Sequence, residues 1–130
     1  SMKGIYKFYN ITSGTYYLQV RHRNSVETWS NAGGESMTAG SIYDYDFTVS
    51  DSQAYGNNMV LKAGEYCLYS GDANQDGLVD LTDNFLIDND AIAFMTGYLP
   101  TDVNGDSVTD LSDAVIADNN ALNFVGKVTP

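Results

Sequence analysis

The chain has 130 residues, 43% of them apolar, which is enough for one compact domain or two small ones and argues against wholesale disorder. A net charge of −11 argues against nucleic acid and anionic membranes as partners. No apolar run is long enough to span a bilayer, which argues against membrane insertion, and no signal peptide is recognisable.

The acidic residues are concentrated in the second half. Residues 1–70 hold six acids and five Lys or Arg, for a net charge of −1, whereas residues 71–130 hold eleven aspartates and only Lys127, for a net charge of −10. Such a step in charge predicts a domain boundary near residue 70, with one module over 1–70 and a second over 71–130.

The first half has the pattern of β-structure. Residues 4–10, 14–23, 41–50 and 64–70 alternate apolar and polar side chains, are rich in tyrosine, and are separated by Gly, Ser and Asn. Period-two spacing with such punctuation predicts short strands and turns. Several short strands at this spacing predict an antiparallel β-sandwich over residues 1–70.

The second half contains an internal repeat with an offset of 30 residues. "DANQDGLVDLTDNFLIDNDAIAF" at 72–94 matches "DVNGDSVTDLSDAVIADNNALNF" at 102–124. Each unit is a polar loop followed by a segment with helical apolar spacing. Because the DND and DNN runs are poor helix interior, they predict a kink or restart, with Asp90 or Asn120 as a candidate cap. The apolar stripes are Leu81, Phe85 and Ile92 in the first unit and Leu111, Val115 and Leu122 in the second.

Both loops place oxygen-bearing side chains at alternate positions. Ca²⁺ takes six to eight oxygen ligands, and a twelve-residue loop offers them at positions 1, 3, 5, 9 and 12, with a backbone carbonyl at position 7. Aspartates that only cap turns are the plainer alternative, but the pattern recurs in register. Two calcium ions are therefore predicted, and Mg²⁺ is less suited because it demands near-octahedral geometry. The predicted ligands are Asp72, Asn74, Asp76, Leu78, Asp80 and Asp83 in the first loop, and Asp102, Asn104, Asp106, Val108, Asp110 and Asp113 in the second.

The two loops are not identical. Position 6 needs a left-handed backbone, which Gly77 adopts freely and which costs Ser107 roughly 1 kcal/mol. The second site is therefore predicted to bind calcium more weakly, although Gly105 relaxes the same turn. Since the acidic half has little of its own to neutralise it, metal binding is predicted to be coupled to its folding.

The doubled loop and helix with Asp at position 12 resembles the dockerin module over residues 71–126. The resemblance implies a non-enzymatic, calcium-binding module of a secreted or cell-surface bacterial protein. Dockerins dock onto cohesin modules and so attach enzymes, often polysaccharide-degrading ones, to a scaffold. It implies an α+β fold class, in which a β-sandwich precedes an all-α pair of calcium loop–helix (F-hand) repeats.

The partner face departs from the usual dockerin pattern. Family members carry a Ser/Thr pair at loop positions 10 and 11 and Lys or Arg at 17 and 18, whereas here acid and amide replace the basic pair. The partner is left open between a cohesin-like module, a divergent one and none, alongside contact with other domains of the parent protein. The candidate partner-binding residues are Leu81, Thr82, Asp88 and Asn89 in the first repeat, and Leu111, Ser112, Asp118 and Asn119 in the second.

The first half is similar to β-sandwich modules found beside such repeats. Residues 4–20 look like the G-x-Y-x-F…G-x-Y hairpin of prealbumin-like, carboxypeptidase-regulatory domains, which usually begin with further strands upstream. Only three residues precede the hairpin here, so an exposed or swapped sheet edge is expected.

Other chemistry has weaker signals. His22 is interpreted as a structural strand residue, and Arg21 and Arg23 on the opposite strand face are predicted to pair with the acidic half. Trp29 and the ten tyrosines either fill a core or stack on sugars. The alternatives to docking are thus a carbohydrate-binding module, or a passive stalk in which calcium is only stabilising.

Overall fold

A computed structural model describes residues 4–130. Six short strands lie in the first half and two helices in the second, and no helix among the described residues is long and apolar enough to cross a bilayer. Short 3₁₀ turns occupy Phe47–Val49, Asp51–Gln53 and Tyr55–Asn57. The strands are β1 (Gly14–Tyr16), β2 (Gln19–His22), β3 (Ser25–Trp29), β4 (Glu35–Met37), β5 (Val60–Lys62) and β6 (Glu65–Cys67); the helices are α1 (Leu81–Ile92) and α2 (Leu111–Leu122).

The predicted β-sandwich is wrong. Among residues 4–130 the strands form three two-stranded antiparallel sheets, β1 with β4, β2 with β3, and β5 with β6. Residues 4–10 and 41–46 lie outside strands, and Ile5 and Phe8 are 93% and 66% exposed. Near the end of the second segment the Asp46 side chain accepts from the Thr48 amide and starts a 3₁₀ turn. Strands of three to five residues cannot build two packed sheets, so alternation alone misled the prediction.

The predicted all-α dockerin-like pair is also wrong as a description of the second half. Residues 71–130 contain single β-bridges as well as helices, because Leu78 pairs with Gly126 and Val108 pairs with Thr96. Each acidic loop thus hydrogen-bonds the segment that follows the helix of the other repeat. The chain is a small β-rich structure of antiparallel strand pairs with two helices.

Each helix follows its loop and begins at an aspartate. Asp80 and Asp110 are the N-caps, and Asp83 and Asp113 complete a capping box with them. The predicted kink at DND and DNN is wrong, because both helices run unbroken through these residues.

The polar residues of these runs bond outside the helix rather than competing with its backbone. Asp90 accepts from the Thr101 hydroxyl (2.6 Å), and Asn120 donates to the Ser70 carbonyl (2.7 Å). Asp118 accepts from Asn84 of α1 (2.6 Å) and so ties the two helices together. Satisfied in this way, side chains of poor helix propensity are tolerated mid-helix.

The hydrophobic core contains residues from both sides of position 70. Val26 of β3 is fully buried against residues of both loops and both helices, and small side chains of α2 allow close packing. The large apolar side chains of the predicted helix stripes, such as Phe85 and Leu111, face solvent instead. The boundary between modules 1–70 and 71–130 stays a prediction. The buried core consists of Val26, Ala73, Val79, Ile87, Val103, Ala114, Ala117 and Val125.

Candidate metal-binding loops

The first acidic loop is shaped by its own polar side chains. Asn74 Oδ1 accepts from the Asp76 amide (2.8 Å), and Asp76 Oδ1 accepts from the Leu78 amide (3.0 Å). Asp72 Oδ2 accepts from the Gly77 amide (3.0 Å). Each side chain therefore curls over the backbone that follows it, which is why Asp and Asn rather than longer residues recur at alternate positions.

Asp83 closes the loop from the first turn of α1. Its Oδ1 accepts from the amides of Ala73 (2.8 Å) and Asn74 (3.1 Å), and its Oδ2 accepts from the Asp80 amide (3.0 Å). The side chain is fully buried. The aspartate at position 12 thereby draws the start of the loop onto the start of the helix.

Two carboxylates of this loop are held in an unfavourable environment. Burial, the nearby charge of Asp83 and that of Asp76 together raise the pKa of Asp72 to about 6. Burial likewise raises the pKa of Asp83. Asp72 is 1% exposed, and its Oδ1 is buried without a hydrogen bond of good geometry, although the nearby Gln75 amide partly offsets the rise in the pKa of this carboxyl. A buried carboxylate oxygen without a hydrogen bond of good geometry, close to other carboxylates, is suited to binding a cation.

The second loop repeats the same hydrogen bonds. Asn104 accepts from the Asp106 amide (2.8 Å), and Asp106 accepts from the Val108 amide (2.9 Å). Asp113 Oδ1 accepts from the Val103 and Asn104 amides (2.7 and 2.9 Å), and it too is fully buried. The sequence repeat is therefore a repeat of loop geometry. The residues at position 8, Val79 and Thr109, are both buried, as expected for that position.

The two loops differ at position 1. Asp102 Oδ1 accepts from the Gly105 amide (2.8 Å), while Oδ2 accepts from the Ser107 amide (3.2 Å) and from the Arg23 guanidinium (3.1 Å). No oxygen of Asp102 is left unpartnered as Asp72 Oδ1 is. A position-1 aspartate oxygen without a partner, the feature suited to binding a cation, is therefore found in the first loop and not in the second. In the second loop the Arg23 guanidinium already contacts the equivalent aspartate, Asp102.

Backbone strain does not separate the loops. Ser107 has a φ of 73°, as predicted for position 6, where Gly77 has 95°. At position 4 the glycine is in the second loop instead: Gln75 of the first loop has a φ of 62°, and Gly105 of the second has a φ of 83°. Each loop thus holds one residue with a Cβ in the left-handed region. The strain argument for a weaker second site is cancelled by the first loop's own strained residue.

Carboxylates alone do not complete either site. Within residues 4–130, no group of three or more His, Cys, Asp or Glu side chains is arranged as a metal centre. The predicted ligand set includes Asn and backbone carbonyl oxygens, which calcium accepts readily. Any bound calcium would need these oxygens in addition to the aspartates.

A pH dependence follows from the raised pKa of Asp72. Its folded-state pKa of about 6 lies above its ordinary value of 3.8, so the stability that protonation provides is complete below 3.8 and is lost as the pH rises to about 6. We expect the metal-free chain to lose about 3 kcal/mol of unfolding free energy across this window. Hydrogen bonds from Ser112 lower the pKa of exposed Asp110 and act in the opposite direction.

Thermal melts of metal-stripped protein at a series of pH values check this expectation. Asp72→Asn is the control, because it removes the titrating group and should flatten the profile. A metal-free parent chain that is most stable near neutral pH would contradict it.

The turn between β2 and β3 inserts between the two loops. Asn24 accepts from the Gly71 amide through its carbonyl (2.7 Å) and donates from its side chain to the Asp102 carbonyl (2.5 Å). Gln75 donates to the carbonyls of Ser25 (3.2 Å) and Asp72 (2.7 Å). One hairpin tip therefore contacts Gly71 and Gln75 of the first loop region and Asp102 of the second loop, an arrangement that local sequence patterns did not indicate.

Arg23 is the main side chain of this contact. Its Nε donates to the Leu99 carbonyl (2.8 Å), and its guanidinium lies 3.8 Å from the centre of the Tyr98 ring. The predicted pairing of an arginine with the acidic half is confirmed for Arg23, whose side chain is 15% exposed. For Arg21 it is wrong, because Arg21 pairs with Glu27 within the first half (3.3 Å).

His22 and Trp29 have local partners. His22 Nδ1 lies 2.9 Å from Asn24 Oδ1. Trp29 is half-buried, donates from its indole to Glu27 (2.6 Å), and meets Tyr17 edge to face. These contacts give His22 a structural setting and place the tryptophan in an aromatic cluster rather than on a flat open platform.

The outer face of the helix pair is apolar and exposed. Phe85 of α1 is 61% exposed and Leu111 of α2 is 76% exposed, although they sit on helices that pack together. All eight predicted partner-binding positions are exposed, so they remain candidates. This helix face comprises Leu81, Phe85, Ile92 and Phe94 from the first repeat and Leu111, Val115, Leu122 and Phe124 from the second.

Comparison with known proteins gives a fold likeness only. No family model matches the sequence, and no curated protein matches it. A chain from the crystal structure of a type II cohesin–X–dockerin complex of Acetivibrio cellulolyticus, a C-terminal interface mutant, has a similar fold. The TM-score is 0.53 at 19% identity, and the match covers 92% of this chain and 67% of that one. The shared property is the arrangement of strands and helices.

Proposed function

We propose that this chain is a non-catalytic, calcium-stabilised module for protein–protein assembly. The observation that carries the calcium part is the buried Oδ1 of Asp72, which makes no hydrogen bond of good geometry and belongs to a carboxyl whose pKa is raised by burial and by neighbouring carboxylates. A divalent ion would relieve both the repulsion and the missing contact. The residues that would hold it are the predicted ligands of the first loop and, more weakly, those of the second.

The exposed helix face supports the assembly part. Large apolar side chains are exposed on a pair of packed helices, and Ile92 and Phe94 line one cavity together with Leu111, which is typical of a protein-binding surface. The similar fold comes from a complex of cohesin and dockerin modules, and on that basis the proposed partner is a cohesin-like module. Asp88 and Asp118 border the patch, so the partner surface is expected to be apolar with a basic rim.

The proposed location is outside the cell, on a secreted or surface protein. Aspartate-based loops of modest affinity are filled at millimolar calcium and would be largely empty at cytosolic concentrations. Under these conditions calcium would act as a permanent structural ion rather than as a signal.

Calcium is expected to stabilise the chain measurably. At an ion concentration about 100 times the Kd, binding adds about 2.7 kcal/mol, which raises the Tm by roughly 10 °C for a chain of this size. Thermal melts followed by far-UV circular dichroism, with calcium and after chelation, check this. Magnesium at equal concentration is the control and should have a smaller effect. Identical melting curves in calcium and in chelator would refute calcium binding.

Docking is tested separately. Purified type II cohesin modules are immobilised, and binding of the chain is measured in calcium and in chelator. Binding in calcium that is lost on chelation supports both parts of the proposal. Calcium-dependent stabilisation without binding to any module would leave a calcium-stabilised structural module and refute docking.

A further inference from the structure

The two loops are equivalent in sequence but not in charge. The first loop has an aspartate oxygen without a partner, whereas the equivalent aspartate of the second loop contacts Arg23. Among residues 4–130 only two ion pairs form, and the Arg23–Asp102 pair is the one that joins the two halves of the chain. The difference at Oδ1 arises within the repeat, because Asp102 Oδ1 accepts from the Gly105 amide. The difference in charge comes from outside the repeat, because Arg23 at the tip of the β2–β3 hairpin contacts Asp102 Oδ2.

The guanidinium is fixed in place by several contacts. Its Nε donates to the Leu99 carbonyl, its Nη2 reaches both the Asp102 carboxylate and carbonyl, and it stacks on Tyr98. Nη1 lies 3.3 Å from the His22 ring nitrogen. An arginine held by a planar fork and an aromatic ring does not swing aside at low cost. Its positive charge is a permanent part of the second loop.

We infer that Arg23 acts as a built-in counter-ion that orders the second loop without metal and weakens its calcium affinity, leaving the first loop as the tight site. The inference rests on the proposed calcium function and deepens it. A guanidinium touching the position-1 carboxylate repels a divalent ion bound to the same carboxylate, while it neutralises part of the loop's charge when no ion is present.

Removing Arg23 should change the charge at Asp102 more than it changes the position of the Asp102 carboxylate. Asp102 would keep its amide donors, Gly105 and Ser107, if Arg23 were removed, and the Asn24 side chain would still hold its carbonyl. The orientation of the ligand therefore survives loss of the arginine, and the electrostatic effect decides the outcome.

The loops contain their own reporters. The Gly77 amide donates to Asp72 in the first loop, and the Ser107 amide donates to Asp102 in the second. Their ¹H–¹⁵N signals give the calcium affinity of each loop separately in one titration of the full chain. Amide hydrogen exchange at the same two positions reports the order of each loop without metal.

The decisive variants are Arg23→Gln, which removes the charge, and Arg23→Lys, which keeps it while losing the fork. In the parent chain the Gly77 signal should saturate at lower calcium than that of Ser107. In Arg23→Gln the Ser107 midpoint should fall on the order of tenfold, and the Gly77 midpoint should stay unchanged. Arg23→Lys should keep the parent affinity. Without metal, exchange at Ser107 should be faster in Arg23→Gln than in the parent.

Arg21→Gln is the matched control, since Arg21 is exposed and pairs only within the first half. A Ser107 midpoint that is unchanged or raised in Arg23→Gln would overturn the inference, as would equal changes in the Lys and Gln variants. If both signals respond to calcium but Arg23 makes no difference, the inference fails and calcium binding stands. If neither signal responds in the parent chain, calcium binding itself fails and the inference falls with it. Dispersed signals for Gly77 in every variant confirm that the chain remains folded.

Discussion

Replacing Asp72 by Asn is expected to raise the Tm of the metal-free chain and to abolish the calcium response of the first loop. The Asp72 carboxylate is buried beside Asp83 and Asp76, and its pKa of about 6 shows that its charge opposes folding at neutral pH. The amide has nearly the same shape, keeps an acceptor for the Gly77 amide, and offers a donor toward the neighbouring carboxylates. We expect a gain of about 3 kcal/mol at pH 7 without metal.

The same substitution at the equivalent position of the second loop should have the opposite sign. Asp102→Asn removes the charged partner of Arg23, whose guanidinium is largely buried. An arginine left without its carboxylate destabilises the fold, at a cost of about 2–3 kcal/mol. A matched pair of Asp→Asn changes at repeat positions therefore separates the two loops.

Chemical denaturation of the two variants in chelator measures both effects. Calcium added back should stabilise the parent chain strongly, and Asp72→Asn weakly. Equal destabilisation by both substitutions would show that the aspartates act only as turn caps and that no uncompensated charge is held in the first loop.

The acidic loops could be read from the sequence because their structure is local. Asp and Asn at alternate positions bond the amide two residues on, and Asp80 with Asp83 forms a capping box within one helical turn. Such contacts depend on spacing alone, so the loops and the helix starts at Leu81 and Leu111 lie where the repeat places them. Whether the loops hold calcium stays a prediction.

The rest depends on contacts between distant residues, which local patterns do not encode. Alternation over 4–10 and 41–50 satisfies the rule for strands, but neither segment is part of a strand. The bridges from Leu78 to Gly126 and from Val108 to Thr96 cross the repeats and turn the second half from an all-helical pair into a mixed structure. The DND run was misjudged for the same reason, since Thr101 supplies its remote partner.

The contact made by Arg23 was partly predictable from the sequence. Charge imbalance between the halves indicated that an arginine of the first half should reach the second, and strand alternation placed Arg21 and Arg23 on the same face. The two arginines have different partners because β2 ends at His22. Arg23 therefore lies in the turn and contacts Asp102, whereas Arg21 lies within the strand. The turn residue Asn24, which bonds the second loop, and Gln75 of the first loop, which bonds the hairpin, carried no sequence signal.

Changing the outer face of both helices should abolish docking without unfolding the chain. Phe85→Gln combined with Val115→Gln removes two large apolar side chains at equivalent positions of the repeats, 61% and 48% exposed. Glutamine is a good helix former, so the unfolding free energy should change by less than about 1 kcal/mol. If the face is a buried interface core, loss of two anchors should weaken binding by about 100-fold or more.

Affinity for an immobilised cohesin module that binds the parent chain, measured in calcium, checks this expectation. Leu61→Gln is the control, because Leu61 is similarly exposed at 57% but lies on β5 and is not among the residues that line the cavity between β5 and α2. Binding that survives the double helix variant and is lost in the Leu61 variant would place the interface on the strand half. The helices pack on one another and on both loops, so a partner bound across the helices contacts the structure that calcium is proposed to order. Chelation should therefore abolish both the calcium-dependent stability and the docking.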